Sequence, residues 1–307
     1  MQENIISIGT RGSPLALAQA REVRSRLMAA HGLFEDAFEI VVIKTSGDKI
    51  IDRPLSEVGG KGLFTKELEE ALLKGTIDLA VHSLKDMATH LPDGLMIGAV
   101  MRREDVRDAF ISLKYSSIDA LPSGAIVGTS SLRRRSQVLK LRPDLRVVEF
   151  RGNVQTRLKK LQEGQADATF LACAGLKRLG MGRDIKSPVD IDLMLPAVAQ
   201  AAISIQVRAD DAKSAGLASP LNHQETALCV HCERAFLERL EGSCRTPIGG
   251  LATLENDRIT LRGQILSIDG QSSFETRRSG PPAKAAQMGR DVAEELLEAA
   301  GPGFLSI

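Results

Sequence analysis

At 307 residues the chain is long for a single core and has room for two or three domains. With 43% hydrophobic and 26% charged residues it has the composition of a soluble globular protein, and no apolar run approaches the roughly 18 residues that span a bilayer. The net charge is +1, and no Trp with Tyr115 alone weighs against nucleic acid as a partner, because single-stranded bases are held by stacking on aromatic side chains.

In chain order, Ile5 to Ile8 reads as a strand and Pro14 to Met28 as a helix with Pro14 in its first turn. Phe38 to Lys44 is a β-branched run. Phe64, Leu68, Ala71 and Leu72 follow i, i+4, i+7, i+8 and predict an amphipathic helix, and Asp78 to Ser83 is again a strand. This alternation predicts an α/β fold with mostly parallel sheets and helices on both faces.

A second unit of the same kind follows Met101-Arg102-Arg103-Glu104-Asp105. Ala125 to Gly128 is a strand, and Ser130 or Ser131 caps the helix that carries Leu132, Val138 and Leu139. Leu145 to Phe150 is a strand, Asn153 caps a helix with Val154, Leu158 and Leu161 on one face, and Ala168 to Ala172 leads into a short helix through Leu179. The strand Ala202 to Val207 is expected to return to the first domain. The last third changes character. A helix starts at Asn222, with Asn222 and Glu225 spaced as a capping box and Leu228, Cys232, Phe236 and Leu240 on its apolar face. Leu251 to Leu254, Arg258 to Leu266 and Ser273 to Arg277 read as antiparallel strands, closed by a helix from Ala286 to Leu297. The expected domains are 1–101 with 202–219, 106–195, and a small α+β domain at 222–307.

Ligands of open α/β sheets bind beyond the carboxyl ends of the strands, where Val81-His82-Ser83-Leu84-Lys85-Asp86 places Lys85 and Asp86. Successive strand residues point oppositely, so only one of the two faces a cleft directly unless the backbone turns there. Asp86 is the candidate carboxylate for a cation that develops during reaction; the plainer alternative is two solvated charges at a strand end.

The arginines are more telling. Arg11 stands between Ile8-Gly9-Thr10 and Gly12-Ser13-Pro14, and Arg133, Arg134 and Arg135 follow Gly128-Thr129-Ser130-Ser131. Arg151 precedes Gly152-Asn153, with Arg157 a turn further on, and Arg178 lies in Ala174-Gly175-Leu176-Lys177-Arg178. Several strand-to-helix junctions thus pair an arginine with helix N–H groups, and both favour anions. The planar guanidinium suits carboxylates in particular. From Thr129 to Lys160 ten Lys and Arg face two acids, Asp144 and Glu149. A solvated basic face accounts for Lys159 and Lys160 but poorly for the junctional arginines.

Gly59-Gly60-Lys61-Gly62-Leu63-Phe64 lacks the ending of a phosphate-binding Walker loop. It reads either as a segment that brings Lys61 and Phe64 over a ligand or as a turn with Phe64 in the core. Cys229-Val230-His231-Cys232 has no second pair at metal-binding spacing and reads as core packing, as does Cys173; no metal site is expected. Cys244, in Glu241-Gly242-Ser243-Cys244-Arg245-Thr246-Pro247, differs: an adjoining arginine favours the nucleophilic thiolate.

Taken together, seven stretches make the chain resemble the porphobilinogen deaminase (hydroxymethylbilane synthase) family along essentially its whole length. Three lie in the first third: Thr10-Arg11-Gly12-Ser13-Pro14-Leu15-Ala16-Leu17, Val58-Gly59-Gly60-Lys61-Gly62-Leu63-Phe64 and Val81-His82-Ser83-Leu84-Lys85-Asp86. The others are Val127-Gly128-Thr129-Ser130-Ser131-Leu132-Arg133-Arg134, Arg151-Gly152-Asn153-Val154, Ala174-Gly175-Leu176-Lys177-Arg178-Leu179-Gly180 and the Cys244 loop.

The resemblance implies two lobes like those of periplasmic binding proteins, a third domain, and a dipyrromethane cofactor joined to Cys244 by a thioether. It implies a transferase that condenses four porphobilinogen molecules head to tail with loss of ammonia and releases 1-hydroxymethylbilane by hydrolysis. By the same resemblance Asp86 is catalytic. Ser83, Lys85, Thr129, Ser130, Ser131, Arg133, Arg134, Arg151 and Gly152 would contact the cofactor. Arg11, Ser13, Lys61, Phe64, Arg151, Arg157, Arg178 and Gln200 would contact substrate. The chain departs from the family at Ala199 and Ala201, where glycines flank the glutamine in relatives, at Glu57, where lysine is common, and at Ser243, where glycine is.

The start, Met1-Gln2-Glu3-Asn4-Ile5, has no basic segment followed by an apolar run, and four scattered cysteines predict free thiols; both point to a cytoplasmic protein, expected as a monomer with no nucleic-acid or membrane partner. The rival readings are a non-catalytic two-lobed binding protein for an organic polyanion and a nucleic-acid-binding module.

Overall fold

The computed structural model describes residues 5–49, 62–243 and 246–305. They form two compact units, one made of 5–49, 62–104 and 201–227, the other of 105–200, 228–243 and 246–305.

The first unit begins with β1 (Ile6–Thr10), α1 (Pro14–His31) and β2 (Phe38–Val42). A single turn α2 (Ser46–Lys49), α3 (Lys66–Leu73), β3 (Leu79–Ser83) and β4 (Leu95–Val100) follow. The second unit takes the chain through β5 (Asp108–Ile111), β6 (Ile126–Gly128), α4 (Leu132–Leu141) and β7 (Arg146–Val148). It continues with α5 (Val154–Gln162), β8 (Ala168–Ala172), α6 (Cys173–Arg178) and β9 (Ser187–Pro188). β10 (Ile203–Arg208) and α7 (Ala212–Ala218) belong to the first unit again. After α8 (Gln224–Arg239) come β11 (Ile248–Glu255), β12 (Arg258–Leu266), β13 (Ser273–Gly280) and α9 (Ala285–Ala300).

The sheet of the first unit has the order β2-β1-β3-β10-β4. Its register makes β2, β1, β3 and β4 point one way, with β10 antiparallel to both of its neighbours. Strand alternation sends Leu79 and Val81 to one face, against Ala20, Val23 and Leu27 of α1, and Ala80 to the other, against Leu68 and Leu72 of α3. The second unit repeats the scheme in β7-β6-β8-β5-β9, with β5 running against the rest. It also carries the antiparallel sheet β11-β12-β13. Both α/β sheets are therefore mostly parallel, with one reversed strand each.

Local chemistry sets several boundaries. Ser13 caps α1, its Oγ accepting from the Ala16 N–H, and Gly32 ends the helix at φ 64°. Ser131, not Ser130, caps α4, and Asn153 caps α5. Two expectations need correcting. Phe64 lies outside α3, in the turn before it. Asn222 does not cap α8: its Oδ1 accepts from the Val100 N–H (2.9 Å) at the end of β4, and His223 takes the cap, its Nδ1 3.3 Å from the Thr226 N–H. Strands β4 and β5 carry no alternation that marks them in the sequence; their pairing with β10 and β8 makes them.

Ala199 (φ 59°) and Ala201 (φ 75°) both adopt left-handed backbone, at a cost of about 1–2 kcal/mol each for a residue with a Cβ. Glycine, which the resemblance implies at both places, would adopt this backbone without that cost. In the second unit the Ala199 N–H is fixed by Glu233, which is wholly buried and accepts from Ala199 N (2.6 Å) and Ala252 N (2.8 Å).

Gly128 ends β6 beneath Phe150; a Cβ there would meet the ring at 2.4 Å. The ring cannot yield as a flexible side chain would. Gly128→Ala is expected to lose about 1–3 kcal/mol, read as a lower urea midpoint. An unchanged midpoint would mean that the ring has room to move.

Among the described residues no helix is long and apolar enough to cross a membrane.

Candidate active site

The carboxyl ends of β1 and β3 open onto a pocket in the first unit. Arg11 enters it directly after β1, with its guanidinium carbon 4.1 Å from the centroid of the Phe64 ring, a cation–π contact that orients both groups. Ser13 lines the pocket from the cap of α1, and Gln19 from the same helix, donating from Nε2 to Ser83 Oγ at 2.8 Å. After Ser83 the backbone turns through a short 3-10 segment, Leu84–Asp86. The turn decides between the two charges at the strand end: Asp86 lines the pocket and Lys85 is not among its lining residues. Among the described residues nothing bonds to the half-buried Asp86 carboxylate. Among the described residues the pocket therefore holds one cation, one carboxylate free of a described partner, and one imidazole.

That imidazole, His82, is missing from the residues to which the sequence reading gives a role. It is 5% exposed, and its Nε2 lies 2.9 Å from Gln206 Oε1; Gln206 Nε2 lies 3.4 Å from Glu69 Oε1. Burial, aided by nearby Arg11, pushes the imidazole pKa down to about 4, and burial pushes the Glu69 carboxyl up. Gln19 and His82 were missed for different reasons. Gln19 looks like any polar helix residue in sequence, and the partner of His82 lies 124 positions away.

The second unit gathers another constellation around Asp108, the first residue of β5 and 1% exposed. Arg133 Nη2 and Arg134 Nη2 each lie 2.7 Å from one of its oxygens, and Gln200 Nε2 lies 3.0 Å from Oδ1. Arg133 also donates to Leu195 O (2.8 Å), Arg134 to Phe170 O (2.9 Å) and Gln200 to Val106 O (2.7 Å). Burial alone would raise the Asp108 carboxyl, but the two guanidiniums outweigh it and hold the group far below the ordinary carboxylate range.

Arg133, Arg134 and Gln200 are all buried and turn inward onto Asp108, because charges and amides removed from water need partners. Two guanidiniums against one carboxylate still leave positive charge in excess, and the Nε–H of both Arg133 and Arg134 is buried without a partner among the described residues. Nearby hydroxyls are engaged locally. Thr129 Oγ1 accepts from the Ser131 N–H, Ser130 Oγ from the Phe150 N–H and Ser131 Oγ from the Arg134 N–H.

Arg157 Nε donates to Gly152 O (3.0 Å), and Gly152 has a positive φ of 124° that a side chain would strain. Arg151 is half-buried at the entry to α5. Arg178 is the last residue of α6, so the expected pairing with helix N–H groups does not hold there. Arg142, from the same basic stripe, is occupied by Asp144 and the carbonyls of Ile118 and Leu121.

Cys244, Lys61 and Glu57 lie outside the described residues. Cys173, Cys229 and Cys232 are buried and form no disulfide among the described residues; burial pushes Cys173 up to about 11 and Cys232 to about 12, which suits packing and not nucleophilic attack. Among the described residues no group of three or more His, Cys, Asp and Glu is placed to hold a metal ion.

A family model described as porphobilinogen deaminase, dipyromethane cofactor binding domain, matches residues 6–216, and one described as porphobilinogen deaminase, C-terminal domain, matches 227–298. The chain is 60% identical over 302 residues to the porphobilinogen deaminase of Paracoccus denitrificans, covering 98% of this chain and 96% of that one. It is 54% identical to the chloroplastic porphobilinogen deaminase of Oryza sativa subsp. japonica, covering 98% of this chain and 86% of the relative. Among solved structures, the VFT2 domain of Bordetella pertussis BvgS superposes with a TM-score of 0.41 at 17% identity, over 70% of this chain and 84% of that one. With both family models matched in order and this identity over nearly the whole length, the chain belongs to the porphobilinogen deaminase family.

Proposed function

We propose that the chain is a transferase that joins four porphobilinogen molecules head to tail with loss of ammonia, on a dipyrromethane primer linked to Cys244, and releases 1-hydroxymethylbilane by hydrolysis. One arrangement carries this reading: Arg11 and Asp86 share a pocket at the ends of β1 and β3, and the carboxylate has no described partner. Porphobilinogen bears acetate and propionate on a pyrrole ring whose N–H gains positive character as ammonia departs. A guanidinium for its carboxylates and a carboxylate for its ring N–H are the complementary set.

The residues present also fit the primer. Its pyrroles carry the same carboxylates, and the second unit offers excess guanidinium charge with two buried Nε–H donors that have no partner among the described residues, each of which costs about 1–3 kcal/mol while unsatisfied. Arg133 and Arg134 would hold the group, with the hydroxyls of Thr129, Ser130 and Ser131, Lys85, Ser83, Arg151 and Gly152 in support. When bound, the primer supplies the pyrrole carbon to which each new ring is joined.

The protein's own part is electrostatic. Arg11 and Ser13 orient the substrate carboxylates, Phe64 holds Arg11 in place, and Asp86 accepts the pyrrole N–H and stabilises the charge that grows there. Arg151, Arg157, Arg178, Gln200 and Lys61 are assigned to the growing anionic chain. Three domains at 1–101 with 202–219, 106–195 and 222–307, a monomeric state, a cytoplasmic location and the absence of nucleic-acid and membrane partners complete the reading. Three separate sheets support the domain division.

The test is the intact mass of the denatured protein together with ammonia release from porphobilinogen. A covalent excess that disappears in Cys244→Ala, with ammonia released by the wild type, is expected. A cofactor-supplied wild type that carries no excess and releases no ammonia would leave the polyanion-binding alternative in its place.

A further inference from the structure

We propose that His82 is a substrate-specificity residue: its Nδ1 accepts a hydrogen bond from the aminomethyl nitrogen of the substrate, and Gln206 and Glu69 hold the ring in the tautomer that makes this possible. The inference rests on the reading of the pocket as a porphobilinogen site.

The geometry fixes which nitrogen is available. Gln206 Nε2 donates to Glu69 Oε1 at 3.4 Å, which turns the amide oxygen toward His82. That oxygen, 2.9 Å from Nε2, requires the proton on Nε2. In the neutral ring Nδ1 is then a bare acceptor. No bond to Nδ1 occurs among the described residues, and His82 lines the pocket beside Ser83 and Asp86. The register explains how distant residues build the chain. His82 pairs with Ser204 and Ala80 with Gln206 across β3 and β10, so His82 and Gln206 project from the same sheet face, the one packed against α3 that carries Glu69.

A neutral acceptor suits the leaving nitrogen better than a carboxylate does. An ion pair with the ammonium would be strongest before the C–N bond breaks and would vanish with it, which stabilises the ground state and slows departure. Asp86 is better used on the ring, where charge grows. Among the described residues Arg11, His82 and Asp86 are the titratable groups that line the pocket, so these two acceptors divide the two kinds of substrate N–H between them.

The test uses the cofactor-loaded enzyme and two ligands, porphobilinogen and an analogue with methyl in place of aminomethyl, compared as KM against the competitive inhibition constant. The amide oxygen of asparagine replaces Nδ1 of histidine, whereas the amide of glutamine replaces Nε2. His82→Asn is expected to keep the wild-type preference for the amine within a few-fold, and His82→Gln to lose it by roughly tenfold or more. An unchanged preference in His82→Gln overturns the proposal while wild-type ammonia release leaves the site reading intact.

Should either variant fold poorly, ¹⁵N NMR of the wild-type histidines, five in all, decides without substitution. The Nε2–H tautomer is expected for His82, and Nδ1–H overturns the proposal.

Discussion

Asp86→Asn is expected to fold as the wild type does and to lose kcat by about a hundred- to a thousandfold, with KM for porphobilinogen changed far less. The exchange keeps shape and removes charge. The carboxylate is half-buried, lines the pocket and has no described partner whose loss would unfold the chain. Its interaction strengthens only as the pyrrole becomes positive, so the deficit falls on the chemical step and not on binding. Removal of one preorganised group that faces developing charge typically has this size of effect. Steady-state ammonia release and a thermal melt read both halves of the expectation. Turnover within a few-fold of the wild type would take Asp86 out of the mechanism.

The second large effect concerns stability. Asp108→Ala is expected to cost about 3–5 kcal/mol, because it leaves the guanidiniums of Arg133 and Arg134 buried without their carboxylate. The folded carboxyl sits below its ordinary value of 3.8, so the unfolded chain binds more protons in the acid range. The stabilisation is therefore complete above about pH 4 and fades as pH falls below it, and the variant should lack this part of the acid dependence. A urea series from neutral to acid pH measures both. A midpoint unchanged at neutral pH would show that the cluster contributes nothing net. A triple variant, Asp108→Leu with Arg133→Met and Arg134→Leu, should regain most of the stability, since apolar replacement of a whole buried ionic cluster is often neutral or better. It should also fail to take up the cofactor, which separates the role of these arginines in folding from their role in holding anions.

The buried cluster also marks where sequence reasoning stops. Its arginines were singled out because two consecutive guanidiniums follow a strand and a capped turn, and that placement is correct. Their direction was not legible. Asp108 stands 25 and 26 positions away at the start of a strand that no alternation reveals, and Gln200 a further 92 from Asp108. The same holds for His82, whose neighbours in sequence, Ser83 and Asp86, were found, but whose proton position depends on Gln206 and Glu69.

What the amino-acid order determined by itself is local: the caps at Ser13, Ser131 and Asn153, the alternation of strand and helix, the switch to antiparallel strands in the last third, and the family motifs at the strand ends. These depend on contacts a few residues apart, which a sequence displays directly. What only the tertiary structure decided is which polar groups face inward and which partner each one has. Buried hydrogen bonds and ion pairs join residues that no periodicity relates, so the inward turn of Arg133 and Arg134 and the neutral imidazole of His82 exist only once the sheets have brought their partners to them.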